Sequence, residues 1–279
     1  MGMTWRILVL GVIGAVAWGS FGCGTSHADA RMQVAASQAA GEAAASATAP
    51  AVSGSQPAGA AQERQLPPIT LHLAGDSTVS NYPATTKQEG WGMEIGQFFS
   101  DKVKVNNVAI GGASVVTFKN GNWNRLIAAV KPGDYVMIQF GANDSGTVAG
   151  RHVSPQDFGA MYGTMADEVK ARGGTAIFVT PSAFYQWSGG KQDNARLAPY
   201  REAIIKAGKE KGVLVDDLNA RGVEWLTEIG EAKAHDIYMP NSAGVPDKAH
   251  FMKEGAVKMA GMVAGELKRI GSPLAAYLK

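Results

Sequence analysis

After Pro67-Pro68 the sequence alternates short β-rich runs with amphipathic stretches, and this alternation restricts the fold more than any other feature. Residues 69–74, 103–109, 134–140, 175–180 and 213–216 are the strand candidates. Residues 91–99, 123–130, 155–172, 194–211 and 253–270 space their apolar side chains three and four apart, which marks one face of a helix. The punctuation agrees. Ser154 precedes Pro155, with Asp157 three residues after the serine, an arrangement that starts a helix, and Gly173-Gly174 and Gly212 stand where helices should stop. Strands that are apolar nearly throughout must be covered on both faces. The pattern therefore predicts an α/β fold in one domain, residues 67–279, with a central parallel sheet of about five strands between helical layers.

Open parallel sheets place their reactive groups beyond the carboxyl ends of the strands. The first strand runs into Gly75-Asp76-Ser77-Thr78, which puts Ser77 on a strand-end turn as a candidate nucleophile. Taken alone, Asp76 and Ser77 could equally cap that turn. The second strand ends in Gly111-Gly112-Ala113-Ser114 and the third in Gly141-Ala142-Asn143-Asp144. The N–H groups of Ser77 and Gly112 and the side-chain amide of Asn143 are three donors that could meet at one oxyanion. Near the C-terminus, Asp247-Lys248-Ala249-His250 follows the proline-containing loop 240–246. Its three-residue spacing on a turn lets the carboxylate hold imidazole Nδ1–H while Nε2 faces a nucleophile. Each motif is weak by itself; the set in this order points to a Ser-His-Asp hydrolase.

Other features narrow the chemistry. With 26 basic against 24 acidic residues, the net charge of +2 is too small for a binder of phosphate backbones, so nucleic acid is excluded as a partner. The single cysteine forms no internal disulfide, and no His or carboxylate spacing suggests a metal site. His72, between Leu71 and Leu73, reads as a sheet-packing histidine, and His152 and His235 as loop residues. Asp76 and Asp144 are expected to brace turns behind the reactive groups, since a base needs access to the proton it takes. Among the aromatics, Tyr185 and Trp187 in the loop 181–193 are expected to line the acceptor side of a substrate, with Trp91 and Trp225 left to packing.

The N-terminus reads as a targeting segment. A single charge within residues 1–6 precedes an apolar run over 7–17 that is too short for a convincing membrane span, the layout of a signal peptide over residues 1–28. Two endings fit: cleavage after Ser26-His27-Ala28, or lipid attachment at Cys23, where Ser20-Phe21-Gly22 departs from the usual lipobox. Export is expected either way, with a membrane tether in the second case. Residues 29–66 are Ala, Ser, Gly, Gln and Pro with few large apolar groups, the composition of a linker. As a coil it would reach on the order of 35 Å.

Gly75-Asp76-Ser77, the Gly112 turn, Gly141-Ala142-Asn143-Asp144 and Asp247-x-x-His250 together resemble the four blocks of the SGNH (GDSL-type) hydrolase superfamily, over essentially all of residues 69–270. More narrowly, Leu73-Ala74-Gly75-Asp76-Ser77-Thr78-Val79, Gly90-Trp91-Gly92, Asn107-x-Ala109-x-Gly111-Gly112-x-Ser114 and Asp247-x-x-His250-Phe251 resemble rhamnogalacturonan acetylesterases. The resemblance implies a flavodoxin-like three-layer α/β/α fold and a serine esterase without metal or organic cofactor, acting on an acetylated polysaccharide or oligosaccharide. It implies Ser77 as nucleophile, His250 as base and then acid, Asp247 as its orienter, and an oxyanion hole of Ser77, Gly112 and Asn143. Pectin-acting members carry basic residues just after the oxyanion glycine, whereas this chain has Ala113 and Val115-Val116. That departure bears on recognition of an acidic backbone and leaves the chemistry untouched. The same residues would serve a lipolytic, aryl or thioesterase, and a carbohydrate-binding module without activity would have no need of the full set.

Overall fold

A computed structural model of the chain describes residues 66–279. The expected leader, the Cys23 lipidation and all of the linker before Leu66 lie outside the described residues.

Among the described residues ten strands and seven α-helices follow in order. Strand β1 is Ile69–Gly75, β2 Gln88–Glu89, β3 Val103–Asn107, β4 Tyr135–Gln139, β5 Thr175–Val179, β6 Trp187–Ser188, β7 Lys191–Gln192, β8 Leu214–Asp216, β9 Tyr238–Pro240 and β10 Pro246–Met252. Helix α1 is Trp91–Glu94, α2 Val115–Asn120, α3 Trp123–Ala129, α4 Pro155–Ala171, α5 Ala198–Lys211, α6 Leu218–His235 and α7 Lys253–Arg269. Five strands pair in parallel in the order β3-β1-β4-β5-β8. The chain leaves β1 for the edge at β3 and then returns across it to β4. The β1/β4 boundary is therefore the switch point, where the loops beyond the strands diverge and leave a crevice.

Side chains alternate between the faces of this sheet and are buried on both. Leu71, Leu73, Met137, Ile177 and Val179 pack on one side with residues of α6 and α7 such as Leu226, Met259 and Val263. Val136, Ile138 and Phe178 pack on the other with Phe158, Tyr162 and Val169 of α4 and Ile204 of α5. This two-sided burial is the physical reason that the strands read as continuous apolar runs. Among the described residues no helix is long and apolar enough to cross a membrane.

The structure departs from the sequence reading at several elements. The predicted helix 91–99 is α1 followed by a 3-10 turn, Ile95–Phe98, and the helix expected from 194 begins at Ala198. Helices α2 and α6 were not expected. In α6 the apolar spacing is broken by glycines, and Gly230, at φ 78°, interrupts the helical backbone. The segment carrying Asp247 and His250, expected as a turn after a loop, is strand β10, antiparallel to both β9 and β2 and irregular in register between Pro246 and Phe251.

One buried contact fixes the end of β4, from which the Asn143 turn departs. The Phe140 N–H donates to the Tyr162 hydroxyl at 2.8 Å, and both residues are fully buried. Tyr162→Phe leaves that N–H without a partner and should cost about 1–3 kcal/mol. In urea unfolding the midpoint should fall while the slope stays constant; an unmoved midpoint would show that the bond contributes nothing net.

Candidate active site

Gly75 closes β1 so tightly that a Cβ there would lie 2.5 Å from Val79 Cγ2. The chain then folds back, with the N–H groups of Val79 and Ser80 donating to the Asp76 carbonyl. Asp76 points inward, where its Oδ1 accepts from the Thr78 N–H at 2.9 Å and the Thr78 hydroxyl at 2.8 Å. Gln139 at the end of β4 donates to that hydroxyl at 2.5 Å and accepts from the Trp91 indole at 2.7 Å. A buried polar chain thus runs from α1 through β4 to the turn that presents Ser77. From the outer side the Tyr82 hydroxyl donates to the Ser77 carbonyl at 2.9 Å.

His250 reaches Ser77 from β10. Its Nε2 lies 2.9 Å from Ser77 Oγ and its Nδ1 2.9 Å from Asp247 Oδ2. The other carboxylate oxygen, Asp247 Oδ1, accepts the N–H groups of Ala249 at 2.7 Å and His250 at 3.2 Å. Those two bonds lock the carboxylate so that Oδ2 faces the ring, which favours Nδ1–H and leaves the Nε2 lone pair for the serine hydroxyl.

Gly112 and Asn143 border the same cleft, a space of about 310 Å³ also lined by Ser77 and His250. Gly112 sits at φ 77°, a conformation that suits glycine. Among the described residues neither the Ser77 nor the Gly112 N–H donates to a protein group. The Asn143 amide donates one hydrogen to the Ala113 carbonyl at 2.9 Å, and its second remains for another acceptor. Beneath this rim lies Asp144, fully buried, with Oδ1 accepting from Val115 N–H at 2.8 Å and Oδ2 from Gly141 N–H at 3.0 Å.

Burial sets the acid–base properties of the lower layer. It pushes the Asp144 carboxyl up to about 7, aided by the neighbouring charge of Asp76, and raises Asp76 as well. In the upper layer the hydrogen bond to His250 holds Asp247 down at about 2, and the same bond holds the imidazole above its ordinary value. The stability His250 contributes is therefore full below the ordinary imidazole pKa and is lost as pH rises through the folded one. That of Asp247 is present above the ordinary carboxylate range and is lost as pH falls towards 2.

The structure thus brings Ser77, His250, Asp247, Gly112 and Asn143 to one cleft and sets Asp76 and Asp144 behind it. It does not bring Tyr185 and Trp187 there. Tyr185 packs against the core with its ring 5.6 Å from that of Tyr238, and Trp187 meets Tyr185 edge-on at 6.4 Å. Phe184, one residue earlier, lines the cleft instead. Sequence reasoning also missed three cations at its rim, Arg151, Arg196 and Lys248. Lys248 stood inside the Asp247-x-x-His250 motif, Arg196 at the start of the periodic stretch 194–211, and Arg151 in a segment without periodicity. His72 is buried in the sheet, 3.3 Å from Asp134. Among the described residues no three of His, Cys, Asp and Glu converge as metal ligands.

Comparison with known proteins shows the family. Residues 73–256 match the GDSL-like Lipase/Acylhydrolase family. Rhamnogalacturonan acetylesterase RhgT of Bacillus subtilis is 32% identical over 222 residues, which are 76% of this chain and 94% of that protein. The crystal structure of YxiM, also of Bacillus subtilis, superposes with a TM-score of 0.65 at 32% identity, covering 73% of this chain. The match spans 57% of that structure's length. A variant of an acetyl-xylooligosaccharide esterase from Geobacillus superposes with a TM-score of 0.56 at 21% identity over 74% of this chain and 95% of that one, a likeness of fold.

If Asp247 controls the imidazole, Asp247→Asn should lower the His250 pKa, followed by NMR titration of the ring protons. A midpoint unchanged from that of the parent protein would mean that the pair seen here exerts no such control.

Proposed function

The chain belongs to the GDSL-like lipase/acylhydrolase family, and from that membership we propose that it is an exported serine esterase that removes O-acetyl groups from a polysaccharide or oligosaccharide. The observation that carries the reading is the unbroken line Asp247–His250–Ser77, at 2.9 Å for each link, ending at a cleft with two uncommitted backbone N–H groups. The relative named for rhamnogalacturonan deacetylation supports the carbohydrate substrate. The apolar run before residue 28 supports export.

The residues divide the work as follows. Ser77 Oγ attacks the acetyl carbonyl while His250 Nε2 takes its proton, and Asp247 steadies the imidazolium that results. The carbonyl oxygen, now an anion, is met by the N–H groups of Ser77 and Gly112 and the free hydrogen of Asn143. His250 returns the proton to the departing sugar alcohol. Water then enters, loses a proton to the same Nε2 and releases acetate from Ser77. The base must be neutral to begin, so activity rises with pH through the raised imidazole value. Acetyl suits the cavity: about 310 Å³ of space, with Phe184 as the one large apolar residue among its lining, leaves little surface for a long acyl chain.

Two substitutions test the proposal, with acetate release from acetylated rhamnogalacturonan and from p-nitrophenyl acetate as the readout. Ser77→Ala should abolish release without changing the unfolding transition. Asn143→Ala should slow turnover about a hundred- to a thousand-fold. Substantial activity in the first variant would remove the nucleophile, and a rate within a fewfold of the parent in the second would remove the amide from the oxyanion hole.

A further inference from the structure

We infer that Tyr82 is a positioning residue for the esterase reaction: by holding the carbonyl of Ser77, its hydroxyl fixes the direction in which the serine Oγ points. This role rests on the esterase reading above and concerns how the nucleophile is kept aligned with His250.

Every other carbonyl of residues 76–79 is anchored by the turn itself or by the sheet behind it. That of Asp76 accepts the N–H groups of Val79 and Ser80, each at 3.1 Å, and the Ser80 hydroxyl at 2.8 Å. The Thr78 carbonyl accepts the Trp91 N–H at 2.9 Å, and the Val79 carbonyl accepts the side-chain amide of Asn107, on β3, at 2.7 Å. The Ser77 carbonyl differs. Among the described residues its one donor is the Tyr82 hydroxyl, at 2.9 Å. The Ser77 N–H adds no support, because it donates to no protein group among them. The peptide that follows the nucleophile thus depends on a single phenol. Burial, with the neighbouring charge of Asp76, pushes that phenol up to about 12, so it is a neutral donor at any pH near 7.

The loop that carries Tyr82 does not need this bond. Its base is closed by the Trp91–Thr78 contact and by Gly90, where a Cβ would collide with the Ser80 carbonyl oxygen. Further out, the Thr86 N–H donates to the Pro83 carbonyl at 3.0 Å, and the loop ends in β2, whose Gln88 and Glu89 pair with Met252 and Phe251. Tyr82 is also held through its backbone, the N–H donating to Met93 Sδ at 3.3 Å. Its hydroxyl can therefore be deleted without unfolding the loop, and what is lost is the hold on Ser77. A Cβ on Gly111 would lie 3.7 Å from the same hydroxyl, so the phenol stands between the Ser77 turn and the turn carrying Gly112. Without it the ψ angle of Ser77 is less constrained, and the 2.9 Å contact of Oγ with His250 Nε2 is populated less of the time. Small misplacements of this kind cost rate because the reacting atoms must meet in one geometry.

Tyr82→Phe keeps the ring and deletes the donor. It should lower kcat/KM for p-nitrophenyl acetate, which reports attack by Ser77, about ten-fold. Phosphorylation of Ser77 by diethyl p-nitrophenyl phosphate, a single attack at phosphorus that expels p-nitrophenolate, should slow by a similar factor, while the melting temperature stays near that of the parent protein. An N–H donor at the same place, supplied by 4-aminophenylalanine in place of Tyr82, should recover most of both rates. Rates in Tyr82→Phe within about twofold of the parent's, or a loss that 4-aminophenylalanine fails to recover, overturn the role of Tyr82 while the esterase reading stands. Failure of the parent protein to release p-nitrophenol from p-nitrophenyl acetate in a Ser77-dependent manner would sink both.

Discussion

The buried carboxylate of Asp144 is the fastening on which the site depends. Its two oxygens take the N–H of Gly141, where β4 ends, and the N–H of Val115, where α2 begins. Those bonds tie the turn carrying Asn143 to the turn carrying Gly112, so two of the three donors proposed for the oxyanion hole are set relative to each other by one side chain. The arrangement is costly when charged. Burial lifts this carboxyl to about 7, so the native state loses stability from it as pH rises from the ordinary carboxylate range towards neutrality. The fold accepts that loss at a position where a neutral side chain could not receive two N–H bonds with the same strength.

The second fastening is Asp76, which does for the Ser77 turn what Asp144 does for the turns carrying Gly112 and Asn143. Through Thr78, Gln139 and Trp91 its position is relayed to β4 and α1, so the Ser77 turn is referenced to the sheet and not to the loop that follows it. Its buried negative charge also favours the protonated form of His250. The lower layer of the site is thus acidic, the rim is cationic, and the imidazole lies between them. That field favours the protonated ring, which the proposed mechanism requires when the oxyanion forms.

How much of this was legible in the sequence follows from how local each signal is. Glycine-punctuated strand ends are local, and residues 69–74, 134–140 and 175–180 closely foretell β1, β4 and β5. The spacing Asp247-x-x-His250 is local too, and the two side chains do meet. What surrounds them is not local. β10 exists because β9 pairs with it, in irregular register, and β2 pairs with it from about 160 residues away, and no periodicity within residues 246–252 announces that. Tyr185 and Trp187 fail for a related reason. Position in a strand-end loop does not say which residue faces the cleft, and a shift of one place exchanged Tyr185 for Phe184. Arg151 was invisible because its segment has neither period nor motif; only the fold lays it against Gly112.

These failures follow a division within the molecule. The residues proposed to make and break bonds are fixed by strand ends and by short-range hydrogen bonds, which constrain their spacing along the chain. The residues that meet the rest of the substrate arrive on loops whose route over the surface is set by long-range packing, such as the Tyr200 hydroxyl that holds the segment after β4. Arg151 reaches the Gly112 turn in this way, from about forty residues further along the chain. A side chain carried on such a loop needs only to reach its neighbour, as Arg151 reaches Gly112, whereas Ser77, His250 and Asp247 hold their contacts with one another.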